Sequence, residues 1–229
     1  MTDRPNPSSP APQPAPPKDK SRFAWRANHR AKAHADAQHE APEAHYDPGK
    51  EHPLIPRGAA ALITQQPELN ALVERLRKAD VVAYDTEFIG ELSFHPKLCL
   101  IQASSAAEVA LVDPLVGLDL TPFWELLADP AVPKVVHAGQ QDVEPVVRNL
   151  GRGPANVFDT QIAAGLASFP YPVSLSKLVQ ELTGARLGKG LTFTHWDQRP
   201  LSGQQLRYAA DDVRYLPLLH ALLKAKLEK

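Results

Sequence analysis

The sequence predicts an α/β fold, with a mixed β-sheet flanked by α-helices. Three observations predict it. Apolar stretches at helical spacing are interleaved with short apolar runs bounded by turn residues. The first three of those runs are joined by short connections, which suits an antiparallel meander. From residue 134 onward short strands and helices alternate, the β–α–β–α order that completes a mixed sheet.

Taken in order, "PELNALVERLRKA" places Leu69, Leu72, Val73 and Leu76 on one helical face, with Pro67 near its start. "VVAYDTE" reads as a strand. "KLCLIQASS" and "EVALVDP" read as two more, with a turn at Ser104 to Ala107. "TPFWELLAD" is a short helix, with Thr121 expected as N-cap and Pro122 at the first position. "KVVHA" is a short buried strand, and "QDVEPVVRNLG" a helix ending at Gly151. "NVFD" is a strand and "TQIAAGLASF" a helix. "SLSKLVQELTG" is a helix capped by Ser174 or Ser176. A long helix runs from Ser202 to the C-terminus, and Pro217 is expected to kink or break it. No internal repeat is present. This order of elements is the ribonuclease H-like arrangement, although pattern alone does not separate it from other α/β folds.

Composition divides the chain near residue 57. Eleven of the 23 prolines lie in residues 1–57, seven of them before Lys18. That stretch is Pro/Ala-rich, then polar, and nearly free of large aliphatics, so it is expected to be a disordered tail. "KDKSRFAWRANHRAK", from Lys18 to Lys32, carries six basic residues and one acid. It is either a solvated segment or an electrostatic arm for a polyanion. The tail histidines (His29, His34, His39, His45, His52) lack metal-ligand spacing. Residues 58–229 form the expected folded domain, with 16 basic and 19 acidic residues and a net charge of −3. A nucleic-acid enzyme can look like this where bound cations offset its acids. The single cysteine, Cys99, excludes an internal disulfide and sits in an apolar run. No apolar stretch reaches the roughly 20 residues of a membrane span, and the N-terminus lacks a signal-peptide core. A cytoplasmic location with no membrane and no obligate protein partner is the expectation.

Four acids stand where elements end. Asp85 and Glu87 close the first strand, one residue apart, so both side chains point to one side. Asp142 opens the helix after "KVVHAGQ". Asp212 follows Tyr208 by four residues on the last helix, so the two share a face, whereas Asp211 points about 100° away. Like charges converge at a cost unless something positive lies between them. Four carboxylates without a Cys/His cluster suit a hard, oxygen-seeking divalent ion, Mg²⁺ or Mn²⁺. Such ions commonly act in pairs about 3.5–4 Å apart on phosphate esters. Each acid alone has an ordinary structural explanation, as an N-cap, an exposed helix face or a strand-edge turn.

Three motifs in order carry a resemblance. D-x-E is matched by "DTEF", with Asp85 and Glu87; the second motif by "HAGQQDVE", with Asp142; and Y-x-x-x-D by "YAADD", with Tyr208 and Asp212. The intervening blocks "PKLCLIQ", "ALVDPL", "FDTQIAA" and "HWDQRPLSGQQLRYAADD" match as well. Over nearly all of residues 58–229 the chain resembles the DEDD 3′–5′ exonucleases, in particular the ribonuclease D group with a tyrosine in its third motif. The resemblance implies two divalent metal ions. It implies that Asp85 bridges them, that Glu87 and Asp212 complete the first metal's shell, and that Asp142 holds the second, partly through water. It implies that Tyr208 orients the attacking water and that nucleoside 5′-monophosphates leave.

Further positions carry two readings each. Phe88 wedges against the terminal base or belongs to the core. His137 approaches a phosphate or is a buried strand-end histidine. Lys189, in the glycine-rich stretch "GARLGKGLTFTHW", touches the substrate backbone, and Trp196 packs. The ribonuclease D group usually continues into helical nucleic-acid-binding domains of the HRDC type, whereas this sequence stops at Lys229. A catalytic domain without them is expected, with Lys18 to Lys32 standing in for some of that binding. "FIGELSF" lacks the basic residue common there in the group. The expected substrate is the 3′ end of single-stranded nucleic acid, RNA ahead of DNA. The alternatives are a DNA exonuclease and a non-catalytic nucleic-acid-binding domain. A dinucleotide-binding fold would want G-x-G-x-x-G after the first strand, and "DTEFIGEL" offers none.

Overall fold

The computed structural model describes residues 52–90, 95–188 and 194–229. The basic arm and Lys189 therefore lie outside the described residues. Six strands form one sheet: β1 (Ala61–Ile63), β2 (Val82–Ile89), β3 (Lys97–Ser104), β4 (Val109–Val112), β5 (Lys134–Val136) and β6 (Val157–Asp159). Their order is β1-β4-β3-β2-β5-β6. β2, β3 and β4 form the expected antiparallel meander, while β1–β4, β2–β5 and β5–β6 pair in parallel. The sheet is therefore mixed, and β2 stands where its antiparallel and parallel halves meet. In such sheets the carboxyl ends of strands beside a change of direction frame a crevice.

Alternation along β2 sorts its side chains to two cores. Val82 and Tyr84 pack with Leu69, Leu72, Val73 and Leu76 of α1 (Gln66–Leu76) and with Phe123, Trp124 and Leu127 of α2 (Thr121–Ala128). Val146 of α3 (Glu144–Leu150) joins that face. Val81 and Ala83 point the other way. They pack with α4 (Thr160–Leu166), α5 (Leu175–Thr183), α6 (Gly203–Arg214) and α7 (Leu216–Leu227) through Ala164, Leu178, Val213 and Leu219. Burying one such aliphatic side chain contributes roughly 1.5–3 kcal/mol, so these two layers hold the sheet between them.

Three local expectations change. β1 was not legible, because three residues beside β4 give too short a pattern to read. Thr121 does not cap α2: its position is helical, and Asp119 accepts its backbone N–H at 3.0 Å instead. Asp142 does not open α3, but sits in the turn before it. The long C-terminal helix breaks at Tyr215, and Pro217 lies in the first turn of the second piece, where a missing N–H costs nothing. Cys99 is buried, and Ser174 caps α5. Among the described residues no helix is long and apolar enough to cross a membrane.

Candidate active site

The carboxyl end of β2 brings the acids together. Asp85 lies opposite Gln102 of β3, so the two side chains share a face. Gln102 is buried, and its Nε2 donates to Glu87 Oε1 at 3.5 Å. A register shift separates Glu87 from Phe88, so the alternation that aligns Asp85 with Glu87 does not carry past it.

Helix α6 delivers Tyr208 and Asp212 from one face. Its start is fixed by a capping box, Ser202 with Gln205, at 2.9 and 3.2 Å. Its far end is tied to β3 by the Ser104 hydroxyl, which donates to the Val213 carbonyl at 2.7 Å. Tyr208 and Asp212 both line one cavity, and each shifts the other's titration. Asp211 turns aside to Arg214 at 3.4 Å, as the helical period requires. Arg214 in turn donates to the carbonyls of Pro56 and Gly58, fastening the residues before β1 to the domain.

Asp142 arrives on the turn after β5. Asp159 shapes that turn by accepting the backbone N–H of Ala138 and of Gly139, each at 3.1 Å, while it also caps α4. Gly139 permits the close pass: a Cβ there would lie 2.5 Å from Val136 Cγ2. Asp142 accepts a short hydrogen bond from the Thr86 hydroxyl and is only 6% exposed. Sequence reasoning missed Thr86, Gln102 and Asp159. Asp159 had a visible signal, the "FDTQ" block, while Thr86 and Gln102 had only their strand positions.

Asp85, Tyr208 and Asp212 line a cavity of about 190 Å³ with His137, Leu175 and Leu216. Glu87 and Asp142 flank it within electrostatic reach. Burial holds Asp85 and Asp212 well above the ordinary carboxylate range; Asp142, Asp212 and Glu87 add repulsion at Asp85, and Glu87, Asp211 and Asp142 add it at Asp212. Burial also raises Asp142, against the hydrogen bonds from Thr86 and with Asp85. Burial, reinforced by Asp212, Glu87 and Asp85, raises Tyr208 far enough to keep its phenol protonated. Asp212 Oδ2 is sealed from solvent without a hydrogen-bond partner. Acidic groups thus meet here at a cost that a cation would relieve.

The donor set consists of carboxylate oxygens, which suit Mg²⁺ or Mn²⁺, and the orphaned Asp212 oxygen is a ready ligand. Among the described residues no group of three or more His, Cys, Asp and Glu side chains is gathered closely enough in this structure to hold a metal ion. The acids instead border an open cleft.

His137 belongs to the wall. Its Nε2 donates to the Val173 carbonyl at 3.1 Å and its Nδ1 lies 2.9 Å from Thr160 Oγ1. Burial pushes its pKa down to about 4, with Asp159 and the Val173 carbonyl opposing. A histidine lowered on folding costs stability as pH falls from its usual 6.5 toward 4. We expect the His137 ring protons to show no titration above pH 5 by NMR; a midpoint near 6.5 would contradict this environment. Phe88 is half-buried opposite Leu98 and is not among the residues lining the cavity. Trp196 is buried and its ring lies 6.2 Å from that of Tyr208, the expected packing role.

Fold and cleft define the class: a ribonuclease H-like α/β domain with a carboxylate centre at its strand ends. The sequence pattern described as 3′-5′ exonuclease matches residues 60–228, and the chain belongs to that family. It is 46% identical over 169 residues to Ribonuclease D of Gluconacetobacter diazotrophicus, covering 73% of this chain and 43% of that one. Thus the chain spans less than half the length of that relative. Among solved structures it is similar to Escherichia coli RNase D, an exoribonuclease involved in structured RNA processing. There the TM-score is 0.70, with 36% identity over 75% of this chain and 46% of that one. It is also similar to Brucella melitensis NrnC with bound Mg²⁺, with a TM-score of 0.57, 29% identity, and coverage of 67% and 76%.

Proposed function

We propose that residues 58–229 form a divalent-metal-dependent 3′–5′ exonuclease that removes nucleoside 5′-monophosphates from the 3′ end of single-stranded RNA. The observation that carries this reading is the acid cluster itself. Asp85 and Asp212 are raised by burial and mutual repulsion, and one Asp212 oxygen has no partner. Similarity to Escherichia coli RNase D favours RNA over DNA, and similarity to Brucella melitensis NrnC with bound Mg²⁺ favours the metal.

Asp85, Glu87, Asp142 and Asp212 would hold the divalent metal ions. The ions would supply Lewis-acid stabilisation of the developing charge at phosphorus and a lowered pKa for the attacking water. The Tyr208 hydroxyl would accept from the attacking water and aim it at the terminal phosphodiester, a contribution of orientation. Thr86 holds Asp142 in place, and Gln102 does the same for Glu87.

The test is a gel assay on 5′-labelled single-stranded RNA and DNA of equal length, with Mg²⁺, with Mn²⁺ and with EDTA. A metal-dependent ladder from the 3′ end, stronger on RNA, is the expected result. A stronger DNA ladder would move the substrate. No ladder with any metal, beside tight binding, would leave a non-catalytic binding domain. Phe88 tests the substrate contact: if its ring stacks on the terminal base, Phe88→Ala raises the Kd for single-stranded RNA by roughly tenfold, whereas an unchanged Kd assigns it to the core. If the basic arm grips RNA, deleting residues 1–50 raises KM and flattens the salt dependence.

A further inference from the structure

The stretch 194–202 leads into α6, and one side chain ties it to the sheet. Arg199 donates Nε to Asp113 Oδ2 at 2.5 Å and Nη2 to Asp113 Oδ1 at 2.7 Å. Nη2 also donates to the Cys99 carbonyl at 2.7 Å, and Nη1 to the carbonyls of Trp196 and Gln198 at 2.7 and 2.8 Å. These contacts use every donor a guanidinium has. The Asp113 side chain is 3% exposed and that of Arg199 26%. A forked, largely buried pair of this kind is directional, and removing one partner strands the other.

The clamp reaches Tyr208 by two routes. Trp196, whose carbonyl Arg199 holds, is buried against Tyr208 with the rings tilted by 37°. The two rings share a small apolar cluster with Cys99, Leu100, Leu111 and Leu201. Three residues beyond Arg199, Ser202 begins the capping box of α6, the helix that carries Tyr208 and Asp212. Asp113 and Cys99 anchor all of this to β4 and β3, in the meander that also contains β2.

We propose that Arg199, paired with Asp113, is a positioning residue for Tyr208. It locks Trp196 and the start of α6 onto the sheet, so that Tyr208 is held beside Asp212 in the lining of the cleft. Arg199 itself touches no substrate. This inference rests on the reading of Tyr208 as the group that orients the attacking water.

The test is a double-mutant cycle on the full chain, with single-turnover RNA hydrolysis as readout. Arg199→Ala is expected to lower kcat about tenfold or more while KM changes less than about twofold. In the Tyr208→Phe background the same change is expected to cost less than about twofold, since the group it positions is already lost. Equal fold losses in both backgrounds, or a loss confined to KM, would overturn the proposal. If Arg199→Ala does not fold, Arg199→Lys takes its place, because a lysine keeps the charge but not the fork. A second readout does not need activity: nitration of Tyr208, quantified by peptide mass spectrometry against exposed Tyr171 as internal standard. Arg199→Ala is expected to raise relative nitration of Tyr208 severalfold; an unchanged ratio would remove the clamp. A wild-type chain that cleaves nothing would defeat the exonuclease reading, while the nitration ratio would still decide whether Arg199 holds Tyr208.

Discussion

Asp85→Asn is expected to lower hydrolysis by about 10³-fold or more while the protein stays folded. Asp85 interacts electrostatically with Asp142, Asp212 and Glu87, so it stands central to the group. An amide has one neutral acceptor where the carboxylate has two charged ones, and it is a poor ligand for a hard divalent cation. The fold has little to lose. The hydrogen bond that the carboxylate accepts from the Thr86 backbone N–H at 2.9 Å survives on the Asn oxygen. Single-turnover release of labelled nucleotide from RNA, with Mg²⁺ and beside circular dichroism of both proteins, gives the answer. Near-normal turnover in the folded variant would remove Asp85 from the site.

Asp212→Asn is expected to stabilise the protein in EDTA at pH 7 and to lose the stabilisation that Mg²⁺ gives the wild type. The buried Asp212 Oδ2 has no partner, and an unsatisfied buried acceptor costs roughly 1–3 kcal/mol. The Asn side chain brings donors into a ring of acceptors. The pH dependence follows from the direction of the shift. Asp212 is raised well above 3.8, so the folded state holds its proton more tightly than the unfolded chain. That destabilisation is absent below about 3.8 and grows as pH rises through the folded value. The melting-temperature advantage of the variant over the wild type should therefore shrink as pH is lowered from 7. Taking the difference cancels His137, whose own effect has the opposite sign. An equal Mg²⁺ response in both proteins would argue against Asp212 as a ligand.

Much of the fold was legible because its signals are local. Leu69, Leu72, Val73 and Leu76 announce α1, and all four are buried on one side. The Pro217 break and the Ser174 cap follow from single residues. β1 escaped because its place depends on pairing with β4, some 50 residues later, and a three-residue strand has almost no periodicity of its own. The geometry of the acids was legible for a similar reason: i, i+2 on a strand and i, i+4 on a helix are fixed by backbone repeat. The partners that hold them were not. Gln102 reaches Glu87 across strands, Thr86 reaches Asp142 across a chain separation of 56 residues, and Arg199 reaches Asp113 across 86. Such contacts are products of topology, which spacing along the chain does not encode.

The exposed turn after the short helix Pro114–Val116, with Gly117 at a φ of 82°, divides the acids between two pieces of chain. Asp85 and Glu87 lie before it, and Asp142, Tyr208 and Asp212 after it. Each piece also contributes strands to the same sheet, so neither can rebuild the centre alone. A cut at this turn would make hydrolysis depend on the two fragments finding one another, turning the domain into a split reporter whose signal is reassembly itself.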